Sequence, residues 1–239
     1  MPATPRNNPN WTIVCDFDGT IAFDDVTDRL LEKYAAPEWQ QLERDWAANA
    51  ISSRDCLMKQ TELLAMTADE LNAEVQDIQI DPAFADFLKF AESRQCTLRV
   101  ASEGYTQVIR ALLNRAGTPP VSVSATYIIR NGRNHWMLGT PFSERTCATG
   151  AATCKCTVAT EATRSNAPVL VIGDGRSDFC VAAKADFVFA RGKLLEFCRE
   201  KSLPHVEVTN FRQAREQLTR LLEPGVWQLT AAAREQRYG

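Results

Sequence analysis

From residue 97 to residue 222 the chain alternates short apolar runs with longer amphipathic runs, and this alternation most constrains the fold. Runs such as TLRVAS (97–102) and PVLVIGDG (168–175) have the length and β-branched content of buried strands. Between them lie runs with helical spacing, such as 105–116 and 211–222. Strand–helix alternation favours a parallel sheet covered by helices. The sequence therefore predicts an α/β fold with a Rossmann-like parallel sheet.

The other elements are assigned by the same criteria. We expect further strands at 11–15, 121–129, 186–190 and 205–208, a hairpin formed by 135–138 after a turn at Asn131 and Gly132, and helices at 148–163, 177–184 and 193–200. No internal repeat interrupts this order.

Residues 22–83 do not fit this rhythm. From about 26 to 71 leucines recur at helical spacing, and Ser52 and Ser53 precede a charged run as helix N-caps do. Pro82 then restarts the chain before another amphipathic run. Ligands of open α/β sheets bind outside the carboxyl ends of the strands. We therefore expect a core made of residues 1–21 and 84–239, with residues 22–83 inserted as a helical cap above that edge.

The chain has 239 residues, a formal net charge of −3 and 45% hydrophobic residues. This balance predicts neither a nucleic-acid partner nor binding to an anionic membrane. No apolar run reaches the roughly 18 residues of a membrane span, and the polar N-terminus predicts a disordered lead-in rather than a secretory signal. Most of the eight cysteines lie in apolar segments, which favours reduced thiols. We expect a cytoplasmic monomer or homodimer.

Two acidic residues directly follow the first apolar run, WTIVC. In the motif DFDGT, Asp16 and Asp18 are separated by one residue, and alternation along a strand puts such residues on the same side. Gly19 permits a tight turn, and Thr20 offers a hydroxyl group. Because clustered buried carboxylates are unfavourable without a nearby cation, a simple turn is the less favoured interpretation.

A second acidic motif, GDGRSD, contains Asp174 and Asp178 and follows the apolar run PVLVI. Taken alone, a glycine-flanked aspartate is more often a turn or a helix N-cap. Together the two motifs predict a metal site, since Mg²⁺ prefers hard oxygen ligands and binds through one or two carboxylates and a phosphate. If the two strands are adjacent, Asp16 and Asp174 supply those ligands.

Two weaker signals lie between these motifs. Ser102 ends an expected strand and is followed by Glu103, Gly104 and a helix, so a hydroxyl and backbone N–H groups at a helix start are available to a phosphate. Serine is, however, also a common N-cap. Lys155 lies in a run rich in Thr, Ala and Cys, where a solvated lysine is the ordinary interpretation.

In this order the four segments resemble the motifs of the haloacid dehalogenase (HAD) superfamily of phosphatases. DFDGT resembles the first motif, the strand ending in Ser102 the second, Lys155 the third and GDGRSD the fourth. The helical insert resembles the cap of the phosphoserine-phosphatase-like subgroup. The stretches CDFDGTIAFDD, KYAAPEW and SDFCVAAKADFVFARGKLLEFCREKSLPH are also similar to the 2-hydroxy-3-keto-5-methylthiopentenyl-1-phosphate phosphatases of methionine salvage. That similarity extends over about residues 13–222.

The resemblance implies a role for each matched residue. Asp16 is expected to be the nucleophile that forms an aspartyl-phosphate. Asp18 is expected to protonate the leaving alcohol and then to deprotonate the attacking water. Ser102 and Lys155 are expected to hold the phosphoryl oxygens of a small phosphorylated metabolite.

The same resemblance implies Mg²⁺ as the cofactor. Its expected ligands are Asp16, the backbone carbonyl of Asp18 and Asp174, with Asp178 supporting them. Phosphoryl transfer depends mainly on positioning and on neutralising negative charge, which such a group of residues can supply.

Five further residues are expected near the substrate: Asp25, Gln60, Glu103, Gly104 and Arg176. Asp25 and Gln60 take the places where phosphoserine phosphatases have a glutamate and a cap arginine for the substrate's amino and carboxylate groups. Loss of the guanidinium removes a bidentate carboxylate ligand, which argues against phosphoserine. Glu103 adds a carboxylate beside the phosphate site, which is unfavourable unless it points away or contacts the substrate.

Several alternatives stay open. Among enzymes they are a phosphoserine phosphatase, another small-metabolite phosphatase and a dehalogenase, and Asp18 disfavours the last because carbon–halogen displacement needs no acid. A catalytically inactive binding protein is disfavoured by the intact carboxylates, which destabilise a fold when they do no work. Cys147, Cys154 and Cys156 are weak zinc candidates, because their spacing does not suit a four-ligand site. Arg191 is expected on the solvated surface.

Overall fold

The computed structural model describes residues 10–163 and 167–223, which fold around one seven-stranded sheet. The strands are β1 (Thr12–Cys15), β2 (Thr97–Tyr105), β3 (Ser122–Arg130), β4 (Trp136–Gly139), β5 (Val169–Gly173), β6 (Phe187–Ala190) and β7 (His205–Glu207). They lie in the order β4-β3-β2-β1-β5-β6-β7, and every neighbouring pair is parallel except β3 with β4. The predicted α/β fold with a Rossmann-like parallel sheet is confirmed. The predicted lead-in, apart from its last residue, and the tail after Pro224 lie outside the described residues.

Four helices lie between β1 and β2, namely α1 (Val26–Tyr34), α2 (Trp39–Ala47), α3 (Ser53–Glu62) and α4 (Ala68–Asp77). Side chains that accept backbone N–H groups fix three of their starts: Asp25 for α1, Ser52 for α3 and Thr67 for α4. The other helices are α5 (Phe84–Ser93), α6 (Thr106–Arg115), α7 (Lys155–Ala162), α8 (Phe179–Ala182), α9 (Gly192–Glu200) and α10 (Phe211–Leu221). Within the described ranges, every helix is too short or too polar to cross a bilayer.

Alternate residues of the central strands face opposite layers of helices. Ile13 and Cys15 pack with side chains of α5, α6 and α10, whereas Val14 between them packs with α7, α8 and α9. Because successive side chains of a strand point to opposite faces, both faces of the sheet are buried, as is usual for parallel strands. The carboxyl edge of the sheet is thus left for a ligand.

Strand β2 is longer than predicted, because it continues past Ser102 to Tyr105. Its register with β3 shifts between these two residues, so Glu103 and Gly104 form a bulge. The hydroxyl of Thr126 donates to the carbonyl oxygens of both bulged residues, at 3.0 and 2.8 Å, and stabilises them. Ser102 therefore lies inside a strand, and the prediction that the strand ends at Ser102 is wrong, whereas the helix that follows begins at Thr106, one residue after its predicted start.

Two predicted helices are shorter than expected. The helix predicted at 148–163 begins only at Lys155, after an irregular segment in which Gly150 has a φ of +59°. The helix predicted at 177–184 is a 3-10 turn, Arg176–Asp178, followed by the one-turn helix α8. Both segments border the carboxyl edge of the sheet, where contacts with residues distant in sequence override a local helical pattern.

Candidate active site

The first and fourth motifs meet at the carboxyl edge of the sheet. Strands β1 and β5 are neighbours, and the backbone N–H of Asp16 donates to the carbonyl oxygen of Ile172 at 2.9 Å. Asp174 directly follows β5, and Asp178 lies in the turn beyond it. One carboxylate oxygen from each of Asp16, Asp174 and Asp178 lies within 4.8 Å of the others. We call these three residues the carboxylate cluster.

Lys155 lies beside the carboxylate cluster. Its Nζ is 2.7 Å from Oδ2 of Asp16 and 2.6 Å from Oδ1 of Asp178, and it donates to the Ser177 hydroxyl at 3.0 Å. Burial lowers the pKa of Lys155, but the two carboxylates outweigh burial and its pKa is raised above the ordinary value. The ammonium group therefore stays charged at the edge of the sheet.

One ammonium group does not balance three carboxylates. Burial and the neighbouring Asp178 raise the pKa of Asp16 well above its ordinary value, although Lys155 opposes this shift. Burial also raises the pKa of Asp174, against the hydrogen bond that the Thr20 hydroxyl donates to its Oδ1 at 2.7 Å. A divalent cation among these oxygens would favour the ionised form of both groups. The hard oxygen atoms of the cluster therefore fit such an ion.

The side chain of Asp18 lies apart from the carboxylate cluster and is held by two donors. Its Oδ1 accepts the backbone N–H of Val26 at 3.1 Å, and its Oδ2 accepts the hydroxyl of Ser102 at 3.1 Å. Burial, followed by the nearby charge of Asp25, raises the pKa of Asp18 to about 7. A carboxyl group with this pKa is suited to exchanging a proton near neutral pH. Any contribution of its backbone carbonyl to metal binding stays a prediction.

A cavity of about 390 Å³ opens at these groups. All five residues predicted near the substrate line it: Asp25, Gln60, Glu103, Gly104 and Arg176. The first three helices of the insert supply much of the remaining lining: Thr27, Asp28, Glu43, Trp46, Ser53, Cys56 and Leu57.

Some of the residues predicted to contact substrate already make hydrogen bonds within the protein. Gln60 is buried, and its Nε2 donates to a carboxylate oxygen of Glu43 at 3.2 Å. The N–H of Gly104 donates to the Ser102 hydroxyl at 2.8 Å, which leaves it unavailable to the phosphate for which it was predicted. Asp25 is exposed and caps α1.

Arg176 reaches away from the carboxylate cluster toward helix α2. It donates to the carbonyl oxygen of Ala47 at 2.8 Å and to Oδ1 of Asn49 at 2.6 Å. Its guanidinium group lies 5.3 Å from the centroid of the Trp46 ring. Arg176 thus ties the fourth motif to the helical insert, a contact that no sequence pattern indicates.

Two residues of the site were missed by the sequence analysis. Arg191 is not a solvated surface residue, because it donates to the carbonyl oxygens of Gly19 and Thr20 and so stabilises the turn after β1. Ser177 accepts a hydrogen bond from Lys155. Its place inside GDGRSD was a usable signal, whereas nothing around Arg191 marks it.

Gly19 lets the turn after β1 approach Asp174 closely. Its φ is +62°, and a β-carbon there would lie 2.5 Å from Oδ2 of Asp174. Gly117 has nearly the same φ, +64°, but a β-carbon there would meet no atom within 4 Å. Substitution at Gly117 therefore measures backbone strain alone, whereas substitution at Gly19 adds displacement of the Asp174 carboxylate.

We expect Gly117→Ala to lower the free energy of unfolding by about 1–2 kcal/mol, which is the usual strain of an L-residue in a left-handed backbone. Gly19→Ala should lower it by about 1–3 kcal/mol more, because the added methyl group must displace Asp174. Urea unfolding of both variants and the wild type measures the two losses. Equal losses would contradict the close approach at Gly19.

Known proteins resemble this chain over most of its length. A family model described as haloacid dehalogenase-like hydrolase matches residues 13–183. A 2-hydroxy-3-keto-5-methylthiopentenyl-1-phosphate phosphatase from Exiguobacterium sp. is 27% identical over 201 residues, which cover 83% of this chain and 93% of that protein. The phosphatase of the same name from Geobacillus thermodenitrificans is 29% identical over 223 residues, which cover 87% and 96%.

Solved structures share the fold at lower sequence identity. A substrate-bound complex of phosphoserine phosphatase has a TM-score of 0.65 at 16% identity and covers 87% of this chain and 98% of that one. Phosphoserine phosphatase from T. onnurineus has a TM-score of 0.61 at 14% identity and covers 90% and 96%. The family match and the phosphatase relatives confirm the prediction of a phosphatase enzyme. Because the matched residues make up more than half of the chain, it belongs to the haloacid dehalogenase-like hydrolase family.

Proposed function

We propose that the chain is a Mg²⁺-dependent phosphomonoesterase that acts on a small phosphorylated metabolite through an aspartyl-phosphate at Asp16. The observation that carries the proposal is that Asp16 and Asp174 of the carboxylate cluster line a cavity of about 390 Å³, with the ammonium group of Lys155 2.7 Å from Asp16. Asp18 also lines this cavity but is not part of the carboxylate cluster. It can therefore act as a proton donor separate from the nucleophile.

The reaction has two steps. The Asp16 carboxylate attacks phosphorus, the bond from phosphorus to the ester oxygen breaks, and Asp18 gives its proton to that oxygen. Asp18 then takes a proton from water as the water oxygen attacks the aspartyl-phosphate, which releases inorganic phosphate and restores Asp16. The raised pKa of Asp18, about 7, and its anchors at Val26 and Ser102 suit it to both transfers.

The other residues bind and orient the transferred group. Lys155, held between Asp16 and Asp178, presents a permanent positive charge to the phosphoryl oxygens. Asp16, Asp174 and the backbone carbonyl of Asp18 would hold Mg²⁺, with Asp178 orienting Lys155. When bound, the ion neutralises part of the phosphoryl charge. Residues 22–83 would act as the cap, since helices α1 to α3 line the cavity.

Among substrates we propose 2-hydroxy-3-keto-5-methylthiopentenyl 1-phosphate as the first candidate, because relatives of that name align over most of this chain. The cavity lining supports a substrate without a second anionic group. Asp25, Asp28 and Glu43 line it, and so does Gln60, which by the resemblance takes the place of the cap arginine of phosphoserine phosphatases. Two cations line it as well, Arg176, which is already bonded to α2, and Lys193, which lies near Asp28, but the acidic lining residues outnumber them. Phosphoserine phosphatase is the alternative, favoured only by fold.

We expect Asp16→Asn to reduce kcat by at least about a hundredfold, or roughly 2.7 kcal/mol, while the fold is kept. The amide is nearly isosteric with the carboxylate but is not a nucleophile. Turnover of p-nitrophenyl phosphate and far-ultraviolet circular dichroism measure the two effects. Asp86→Asn, an exposed change on α5, is the matched control and should leave kcat unchanged. Residual activity above about one hundredth would refute the role of Asp16.

We expect Mg²⁺ to raise the melting temperature of the wild type, because an ion that binds the folded state stabilises it by about 2.7 kcal/mol at a hundred times its Kd. Asp174→Asn should abolish most of this shift, whereas the exposed change Asp69→Asn should retain it. Differential scanning fluorimetry with a Mg²⁺ titration gives this result independently of activity. Activity should also vanish on chelation and return with Mg²⁺. An unchanged shift in Asp174→Asn would place the ion elsewhere.

The substrate proposal predicts a higher kcat/KM for the enol phosphate than for phosphoserine. A substrate carboxylate left without a partner in the site costs about 3–5 kcal/mol, so a ratio of at least about 10² is expected. Steady-state kinetics on both compounds, with phosphoethanolamine as an amine lacking the carboxylate, separates the contributions. A phosphoserine value equal to or above the enol phosphate value would defeat the proposal.

A further inference from the structure

The carboxylate of Glu103 joins two parts of the chain at the rim of the cavity. Its Oε2 accepts the hydroxyl of Ser53 at 2.7 Å, and its Oε1 accepts the backbone N–H of Ala152 at 2.7 Å. Ser53 is the first residue of α3, and Ala152 lies three residues before Lys155. Protein donors therefore already engage both oxygens of Glu103.

The two bridged parts also contact each other directly. The N–H of Arg54 donates to the carbonyl oxygen of Gly150 at 3.0 Å. A β-carbon at Gly150 would lie 2.7 Å from Cβ of Ser52, so the two backbones pack without space for a side chain. The first turn of α3 and segment 150–154 are thus in direct contact. Glu103, a residue of β2, makes a hydrogen bond to each of them.

The sheet fixes the position of Glu103. Its carbonyl oxygen, like that of Gly104, accepts the hydroxyl of Thr126 in the bulge of β2. The preceding residue, Ser102, donates to Asp18 from the same bulge. One local distortion of β2 thus directs a hydroxyl toward the proton donor and a carboxylate toward the segment that leads into Lys155.

We infer that Glu103 is a positioning residue that holds segment 150–154, and with it Lys155, in place relative to Asp16. Through Ser53 it also sets the distance of α3, and therefore of the cavity-lining Gln60, from the sheet. The catalytic consequence rests on the proposed function, whereas the bridge itself does not. A misplacement of about 1 Å at a charged group can reduce a rate by about a hundredfold, so the bridge bears on turnover.

Four variants test the inference: Glu103→Ala, Glu103→Gln, Ser53→Ala and the double variant of Glu103→Ala with Ser53→Ala. With p-nitrophenyl phosphate and Mg²⁺, Glu103→Ala should lower kcat by about 10- to 100-fold. Glu103→Gln should restore most of this loss, because an amide can accept from Ala152 and donate to the Ser53 hydroxyl. Ser53→Ala should mainly raise KM, since it frees only the cap side. The double variant should be no worse than Glu103→Ala.

Hydrogen–deuterium exchange gives a readout that does not depend on activity. Glu103→Ala should speed exchange at segment 150–154 and at the first turn of α3, and Glu103→Gln should not. Glu92→Ala, an exposed change on α5, is the matched control for loss of a glutamate. If wild type hydrolyses no phosphate ester but exchange responds as stated, the proposed function fails and the bridge stands.

Two results would overturn the inference. A loss in Glu103→Gln as large as in Glu103→Ala, with an altered ratio of activities on two phosphate esters, would mean that Glu103 contacts the substrate. Unchanged exchange at segment 150–154 in Glu103→Ala would mean that no bridge holds it. If Glu103→Ala does not fold, Ser53→Ala decides by exchange at the first turn of α3.

Discussion

The ion pairs of Lys155 with Asp16 and Asp178 are the interaction on which the site depends. They join the end of β1, the start of α7 and the turn after β5. Backbone hydrogen bonds between two strands do not reach all three of these elements. Removing Lys155 would leave the buried carboxylates uncompensated, and such a loss typically costs about 3–5 kcal/mol. The order of the sheet, with β1 beside β5, is what makes the pairing possible.

The sequence predicted the sheet and the acidic motifs well because both are local patterns. Apolar runs that end in aspartate and glycine mark where β1 and β5 end, and the parallel order brings these ends together. The bulge of β2 was not predictable, because Thr126, 23 residues after Glu103, stabilises it. The irregular segment before Lys155 was not predicted for the same reason, because it contacts the first turn of α3, which is distant in sequence.

Within the site, predictability followed the kind of partner that each residue has. Asp16 and Asp174 were found because their neighbours in sequence define them. Arg191 was missed because its partners are backbone carbonyls of the turn after β1, which carry no side-chain signature. Arg176 lines the cavity and its contact with substrate stays a prediction, while its bonds to the end of α2 depend on how the insert folds back. The motifs therefore identified the acidic residues of the site, and only the fold revealed the arginines that hold the surrounding segments in place.

The sign of the charge at the cavity has a consequence for how ligands enter it. Carboxylates dominate the cavity lining, where Asp25, Asp28 and Glu43 add to Asp16, Asp18, Glu103 and Asp174, against two lining cations, Arg176 and Lys193. A phosphate dianion is repelled by this surface unless a cation offsets it. If the proposed function holds, bound metal then raises the affinity for phosphate, and by linkage phosphate raises the affinity for the metal by the same factor. Under the proposed function, the acidic lining that disfavours a second anion would thus also make phosphate binding conditional on the metal.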